Sequence, residues 1–181
     1  MWAWARGLLR TALDHDGPFC TRYPRDKAPT QPTRTADIPA VPYGSWELLR
    51  PGREVAILAV GTMVDPALEA AERLAAEGFD PAVVNCRFLK PIDQAMADAL
   101  ALTCHTFVTI EEGAVANGFG AYLSGLLQEP HPEVRVVPVG VPDLLQEQAP
   151  RATQLARFGL TGEGIAKRIA ALHHEERLEP R

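Results

Sequence analysis

The sequence has no CxxC pair, no HExxH string and no Cys/His cluster, so nothing in it is spaced like a metal site. It also lacks a Walker lysine, and no GxGxxG follows the first predicted strand, which removes the two common signatures of nucleotide binding. The histidines (His15, His105, His131, His173, His174) have no acid or serine partner evident in sequence, which argues against histidine catalysis. The three cysteines, Cys20, Cys86 and Cys104, are odd in number and far apart, so buried reduced thiols are expected rather than disulfides. No block of basic residues suits a phosphate backbone, and the net charge is −5, so nucleic acid is not an expected partner. No apolar run reaches the length needed to cross a bilayer, so no membrane partner is expected either. The opening MWAWARGLLRTAL carries Arg6 inside a short apolar run and lacks a small-residue cleavage site. It does not read as a secretory signal, and a cytoplasmic protein is expected.

What remains is an ordinary globular composition, 46% hydrophobic and 23% charged, in 181 residues. That length holds one domain with a real core and part of a second. Sixteen prolines are many, and they crowd between Pro18 and Pro51, which marks a connector. Before it, apolar residues at helical spacing (Trp2, Leu8, Leu9, Ala12, Leu13) predict a helix over 2–14, and Phe19 to Tyr23 reads as a short strand. A lone helix and strand cannot bury their own apolar faces, so this arm reads as the end of another domain. The expected organisation is therefore an arm over 1–25, a linker over 26–43, a domain over 44–173 and a frayed tail over 174–181.

Beyond the linker, Trp46 to Leu49 is a short strand whose Pro51-Gly52 turn is expected to feed back antiparallel into the next strand. VAILAV, within Glu54 to Gly61, is the near-continuous apolar run of a strand covered on both faces. Thr62 is a candidate cap for the helix that follows, which ends at Gly78. Further strands are expected over 81–86, 106–110 and 134–139, with helices over 93–102, 119–127, 151–158 and 161–172, the last capped by Thr161. Alternation of strand and helix with short connections predicts a doubly wound α/β domain, its five-stranded sheet mostly parallel with one antiparallel edge strand.

The stretch 107–120, FVTIEEGAVANGFG, runs from strand through paired acids to a helix start, which places it at the carboxyl edge of the sheet. Glu111 and Glu112 could serve as a general acid and base, but adjacent side chains on an extended segment point to opposite sides. An interface or helix-start role for one of them, and simple solvation, stay open beside catalysis. Asn117, Gly118 and Gly120 form a loop through which backbone N–H groups could cradle a phosphate, and close helix packing explains the glycines equally well. Arg22 and Arg25 flank a rigid Tyr23-Pro24 turn, the best candidate grip for an anionic substrate, although exposed arginines before a linker are also common. Arg87 raises the same question.

Several strings, in order, carry a likeness to a known family: RYPRD at 22–26, REVAILAVGTMVDPALEAAERLAAEGF at 53–79, VVNCRFLKPID at 83–93, VTIEEGAVANGFGAYL at 108–123, VGVPD at 139–143 and FGLTGEGIAKRI at 158–169. Together they resemble the C-terminal portion of 1-deoxy-D-xylulose-5-phosphate synthase, a thiamine-diphosphate-dependent relative of transketolase. The resemblance implies a transketolase-type C-terminal domain preceded by the last elements of a pyrimidine-binding domain. It also implies a whole enzyme that condenses pyruvate, after decarboxylation, with glyceraldehyde 3-phosphate and so feeds isoprenoid and thiamine synthesis.

On that resemblance, Arg25 matches a ligand for the aldehyde substrate's phosphate and Arg22 the arginine before it. Asp26 and Asn117 stand where the family commonly has glycine, and Gln148-Ala149 stands where many members have His-Gly or Gln-Gly. The GDG-and-asparagine metal motif and the cofactor-activating glutamate belong to sequence that this chain lacks. Thiamine diphosphate and Mg²⁺ are thus expected in the full enzyme and not on this chain alone. The implied partners are a second copy, a chain carrying the cofactor-binding domains, or both. The C-terminal domain of a transketolase, that of a 2-oxo acid dehydrogenase E1 β subunit, and a non-catalytic interaction module remain alternatives.

Overall fold

The computed structural model describes the backbone of residues 2–24 and 39–178 and the side chains of 5–24 and 39–174. It begins with helix α1 (Trp2–Asp14), and the sheet domain follows as β1 (Glu47–Arg50), β2 (Val55–Ala59), a 3-10 turn (Gly61–Met63), α2 (Val64–Ala76), β3 (Ala82–Asn85) and α3 (Gln94–Ala101). It continues through β4 (Thr106–Ala114), α4 (Phe119–Leu127), β5 (Arg135–Val141), α5 (Arg151–Arg157) and α6 (Gly162–Leu178). The five strands lie in the order β1-β3-β2-β4-β5, parallel except for β1. This is the doubly wound, mostly parallel α/β architecture expected from the alternation of elements.

The apolar run of β2 is explained by the two layers that cover it. Ile57 and Ala59 face one layer, in which α2 (Ala67, Ala70, Ala71, Leu74) packs on α6 (Ile165, Ala166, Ile169, Leu172). Ala56 and Leu58 face the other, formed by α3 and α4 through Ala97, Leu100, Phe119, Leu123 and Leu127. Small residues on α2 let two helices and the sheet approach closely, so a larger side chain at any of the fully buried alanines would have to displace backbone. Trp46 closes the second layer at its edge, its indole N–H donating to the Phe88 carbonyl at 2.7 Å.

Two local expectations are corrected. The Pro51-Gly52 turn does not make a β1–β2 hairpin; β1 pairs antiparallel with β3, Leu48 opposite Val84. Gly52 passes over the start of β3, where an added Cβ would lie 2.3 Å from the Ala82 nitrogen, so the chain crosses β3 and leaves β1 on its outer edge. Thr62 is not a helix cap, because the 3-10 turn intervenes and α2 starts at Val64 without a side-chain cap. Asp93 does cap α3, accepting from the Met96 N–H at 3.0 Å, and its other oxygen accepts from the Trp46 N–H at 2.8 Å, which fixes β1 to α3. Thr161 Oγ1 accepts from the Gly164 N–H at 3.1 Å at the start of α6. α6 itself continues to Leu178, past the expected end of the domain at 173.

The arm is a helix without a strand. Residues 19–23 carry no strand and pair with no strand among the described residues. α1 instead docks on the stretch before β1: Gly7 lies against Val41 and the Pro39 carbonyl, and the buried Thr11 hydroxyl donates to the Val41 carbonyl at 2.5 Å. His15 stacks on Tyr43 with ring centroids 4.6 Å apart, and Phe19 meets Tyr43 and Phe88 at 6.3 and 6.0 Å. Of the cysteines, Cys86 and Cys104 are buried and free, as expected, whereas Cys20 is free and exposed. Burial pushes both buried thiols up, with the nearby Asp93 charge adding to the effect at Cys86, so neither is a ready nucleophile.

Candidate functional site

In a doubly wound sheet the crevice for ligands lies outside the carboxyl ends of the strands where the winding reverses. Here the chain runs from β2 to β3 on one side and then returns to β4 on the other, so that point lies between β2 and β4. The stretch singled out in the sequence sits there. β4 stays in register with β5 as far as Ile110 opposite Val139, then bulges before Ala114 pairs with Val141. The bulge carries Glu111 and Glu112 out of the regular ladder while keeping them on opposite faces.

Glu111 turns to the α4 side and is buried. Its two carboxylate oxygens accept from the backbone N–H groups of Phe119 and Gly120, each at 3.0 Å. A negative charge at a helix start satisfies otherwise unpaired donors and complements the helix dipole. The glycines serve this contact. A Cβ on Gly118 would lie 2.6 and 2.7 Å from the Glu111 oxygens, and one on Gly120 would lie 2.2 Å from Thr109 Oγ1. Asn117 turns the chain with a φ of 57°, a left-handed conformation that asparagine tolerates better than most residues. At this helix start the N–H groups of Phe119 and Gly120 are taken by the chain's own carboxylate, and the Gly118 N–H donates to the Val115 carbonyl at 3.3 Å, so the loop of Asn117, Gly118 and Gly120 serves close helix packing here.

Glu112 faces the other way. It accepts from Thr62 Oγ1 at 2.8 Å and binds the Arg151 guanidinium in a two-pronged contact, Nε at 2.7 Å and Nη2 at 2.6 Å. Thr62 follows β2, Glu112 lies in the bulge near the end of β4 and Arg151 opens α5, so the three side chains bridge the crevice. Sequence reasoning missed both partners of Glu112. They lie 50 and 39 residues away, and no local spacing signals such contacts.

The other candidates fall elsewhere. Arg22 and Tyr23 are exposed on the segment after Phe19, and Arg25 and Asp26 lie outside the described residues. Arg87 is committed to structure, donating to the Ser45 and Trp46 carbonyls at 3.2 and 2.9 Å and to Ser45 Oγ at 2.8 Å. His131 has acid partners that its sequence neighbours did not all reveal: Asp98 on α3 at 2.8 Å and Glu133 at 3.4 Å. The hydrogen bond to Asp98 raises the imidazole's pKa, and the same bond is the main cause holding the Asp98 carboxyl low. This trio ties α3 to the α4–β5 connection at the surface, away from the crevice.

Neither acid at the crevice is open to a metal ion. Glu111 and Glu112 are occupied by α4, Thr62 and Arg151, and among the described residues no three His, Cys, Asp or Glu side chains are grouped so as to hold a metal ion.

Comparison with known proteins agrees with this architecture. Residues 44–165 match the model of the transketolase C-terminal domain. The chain belongs to the transketolase C-terminal domain family. Curated relatives include 1-deoxy-D-xylulose-5-phosphate synthase 1 of Geobacter metallireducens, 42% identical over 164 residues, and synthase 2 of Geobacter sulfurreducens, 44% identical over 167. The synthase of Synechococcus elongatus is 39% identical over 162 residues. These matches cover 90%, 91% and 90% of this chain but 26% of each relative, so the chain spans about a quarter of their length. Among solved structures, a protein described as a split gene transketolase, inactive beta4 tetramer, superposes with a TM-score of 0.78 at 36% identity, covering 90% of this chain and 52% of that one. Among the described residues, no helix of this transketolase C-terminal domain protein is long and apolar enough to cross a membrane.

Proposed function

We propose that this chain is the C-terminal part of a 1-deoxy-D-xylulose-5-phosphate synthase, a cytoplasmic transferase, and that it works only when joined to the domains that hold thiamine diphosphate and Mg²⁺. The observation that carries the reading is the agreement among relatives: curated synthases of several bacteria share 39–44% identity over about nine-tenths of this chain. The split gene transketolase spans the same share of the chain at a lower 36%.

On this reading, residues 44–173 form the C-terminal domain and 1–25 the end of the pyrimidine-binding domain, connected through 26–43. Arg25, with Arg22 beside it, contributes to the phosphate contact of the aldehyde substrate. The crevice that would hold a ligand in other doubly wound proteins is closed by Thr62, Glu112 and Arg151, which supports a scaffolding role for the domain itself. The covered relative described as a beta4 tetramer supports self-association of such a chain in the absence of its partner.

Light scattering on the purified chain, alone and mixed with the two preceding domains of a bacterial relative, tests this reading. A self-associated species that exchanges for a mixed complex is expected. A monomer that ignores the added domains would contradict it.

A further inference from the structure

A shallow cleft opens at the carboxyl end of β5, between the β4–β5 edge and the turn from α5 to α6. It wraps the outer edge of β5: Pro138 and Gly140 lie on the face of Glu111 and α4, a Cβ on Gly140 falling 3.2 Å from the Glu111 Cγ, while Val139 and Phe158 pack with the α2–α6 layer. Val115, Pro138 and Val139 give it an apolar wall, and Phe158 stands at its other side. Its lining carries two charged side chains, Arg157 and Arg168, and no acid, in a chain whose net charge is −5. Like charges brought to one opening repel, so their convergence makes a local positive site that an anion would relieve.

Neither guanidinium is committed to the fold. Arg168 is exposed and makes no ion pair or hydrogen bond among the described residues. Arg157 has a single ion partner there, Glu147 at 3.7 Å, and both side chains are largely in water, where such pairs contribute little. The two arginines come from different helices. They share one opening because the α5–α6 turn is tight: Gly164 packs on Gly159, where an added Cβ would lie 2.5 Å from the Gly159 carbonyl oxygen. The start of α6 is not the donor, since the Gly164 N–H is already bonded to Thr161 Oγ1 and the Ile165 N–H to the Thr161 carbonyl.

We propose that this cleft binds a small phosphate monoester. The dianion sits between Arg157 and Arg168, whose planar forks match phosphate oxygens, and the ester's carbon body lies against Phe158 and Pro138. The proposal does not rest on the role given to Arg22 and Arg25.

The test is an amide chemical-shift titration of the isotope-labelled full chain with phenyl phosphate, inorganic phosphate and phenol, at constant ionic strength set with chloride. Phenyl phosphate is expected to give saturable shifts centred on Phe158, Gly159 and Gly164, at lower concentration than inorganic phosphate, with phenol inert. Arg168→Ala weakens this binding by about tenfold or more, and Arg157→Ala does likewise, as expected for loss of a charged hydrogen bond. Arg168→Lys, which keeps the charge and loses the fork, falls between. Both arginines are on the surface, so spectra unchanged outside the cleft verify that the variants fold. Shifts scattered over many arginines, equal affinity in the Arg168→Ala chain, or no preference for phenyl phosphate over inorganic phosphate would overturn the proposal.

Discussion

Glu111 supplies from within the chain the negative charge that the free N–H groups of a helix start attract. Removing it leaves two buried donors without a partner. Glu111→Ala should therefore lower unfolding free energy by about 2–4 kcal/mol, read by denaturant titration, with Glu111→Gln losing less because one oxygen can still accept. A second test concerns the neighbouring turn. Asn117 holds a φ of 57°, so Asn117→Gly should be neutral or mildly stabilising, whereas Asn117→Val should cost about 1–3 kcal/mol for forcing a β-branched residue into the left-handed region. The resemblance noted a glycine at this place in relatives, and the backbone explains why asparagine can replace it. That Glu111 and Glu112 point apart was legible from strand alternation. That Glu111 finds α4 eight residues on, and Glu112 finds Arg151, was not, because both depend on how the bulge in β4 re-aims the chain.

Elements are held to one another by a few polar ties outside the apolar layers. His131 joins α3 to the connection after α4 through Asp98, and the signs follow from the two shifts. The imidazole's pKa is raised in the folded state, so its contribution is full below its unfolded value of about 6.5 and is lost as pH rises through the folded value. The carboxyl's pKa is lowered, so its contribution is full above about 3.9 and is lost as pH falls through the folded value. Wild type should thus exceed His131→Ala in melting temperature most clearly between about pH 4 and 6.5, and the gap should narrow toward pH 9.

Arg151 anchors α5 by its two-pronged contact with Glu112. Both side chains are about a third exposed, so Arg151→Ala should change global stability by no more than about 1 kcal/mol while speeding hydrogen exchange across residues 151–157. The reading of elements from periodicity succeeded where a single helix or strand sets the pattern, as in the α4 span Phe119–Leu127 and the apolar β2. It failed at β1, where the turn residues suggested a hairpin but the edge of β3 was the available partner.

At the scale of the molecule, the arm is only partly satisfied. α1 covers Val41 with Gly7 and Thr11, yet Leu9 and Leu13 stand exposed one turn apart on another part of its surface. Leu144 and Leu145 are exposed beyond β5 as well. Apolar side chains left in water on an isolated chain are what an assembly would cover, in keeping with a chain about a quarter the length of its relatives. The family could be recognised in the sequence because motifs recur in order from Arg22 to Ile169. The closed crevice could not, since Thr62, Glu112 and Arg151 meet only after β2, β4 and α5 are assembled.

The most direct test of the account is formation of 1-deoxyxylulose 5-phosphate from pyruvate and glyceraldehyde 3-phosphate, with thiamine diphosphate and Mg²⁺ supplied. It is measured for the chain alone and for the chain co-expressed with the two preceding domains of a bacterial relative. The account predicts no turnover alone, turnover in the mixed complex, and a raised KM for the aldehyde in the Arg25→Ala complex. Turnover by the chain alone, or a stable mixed complex with bound cofactor and no product, would contradict it.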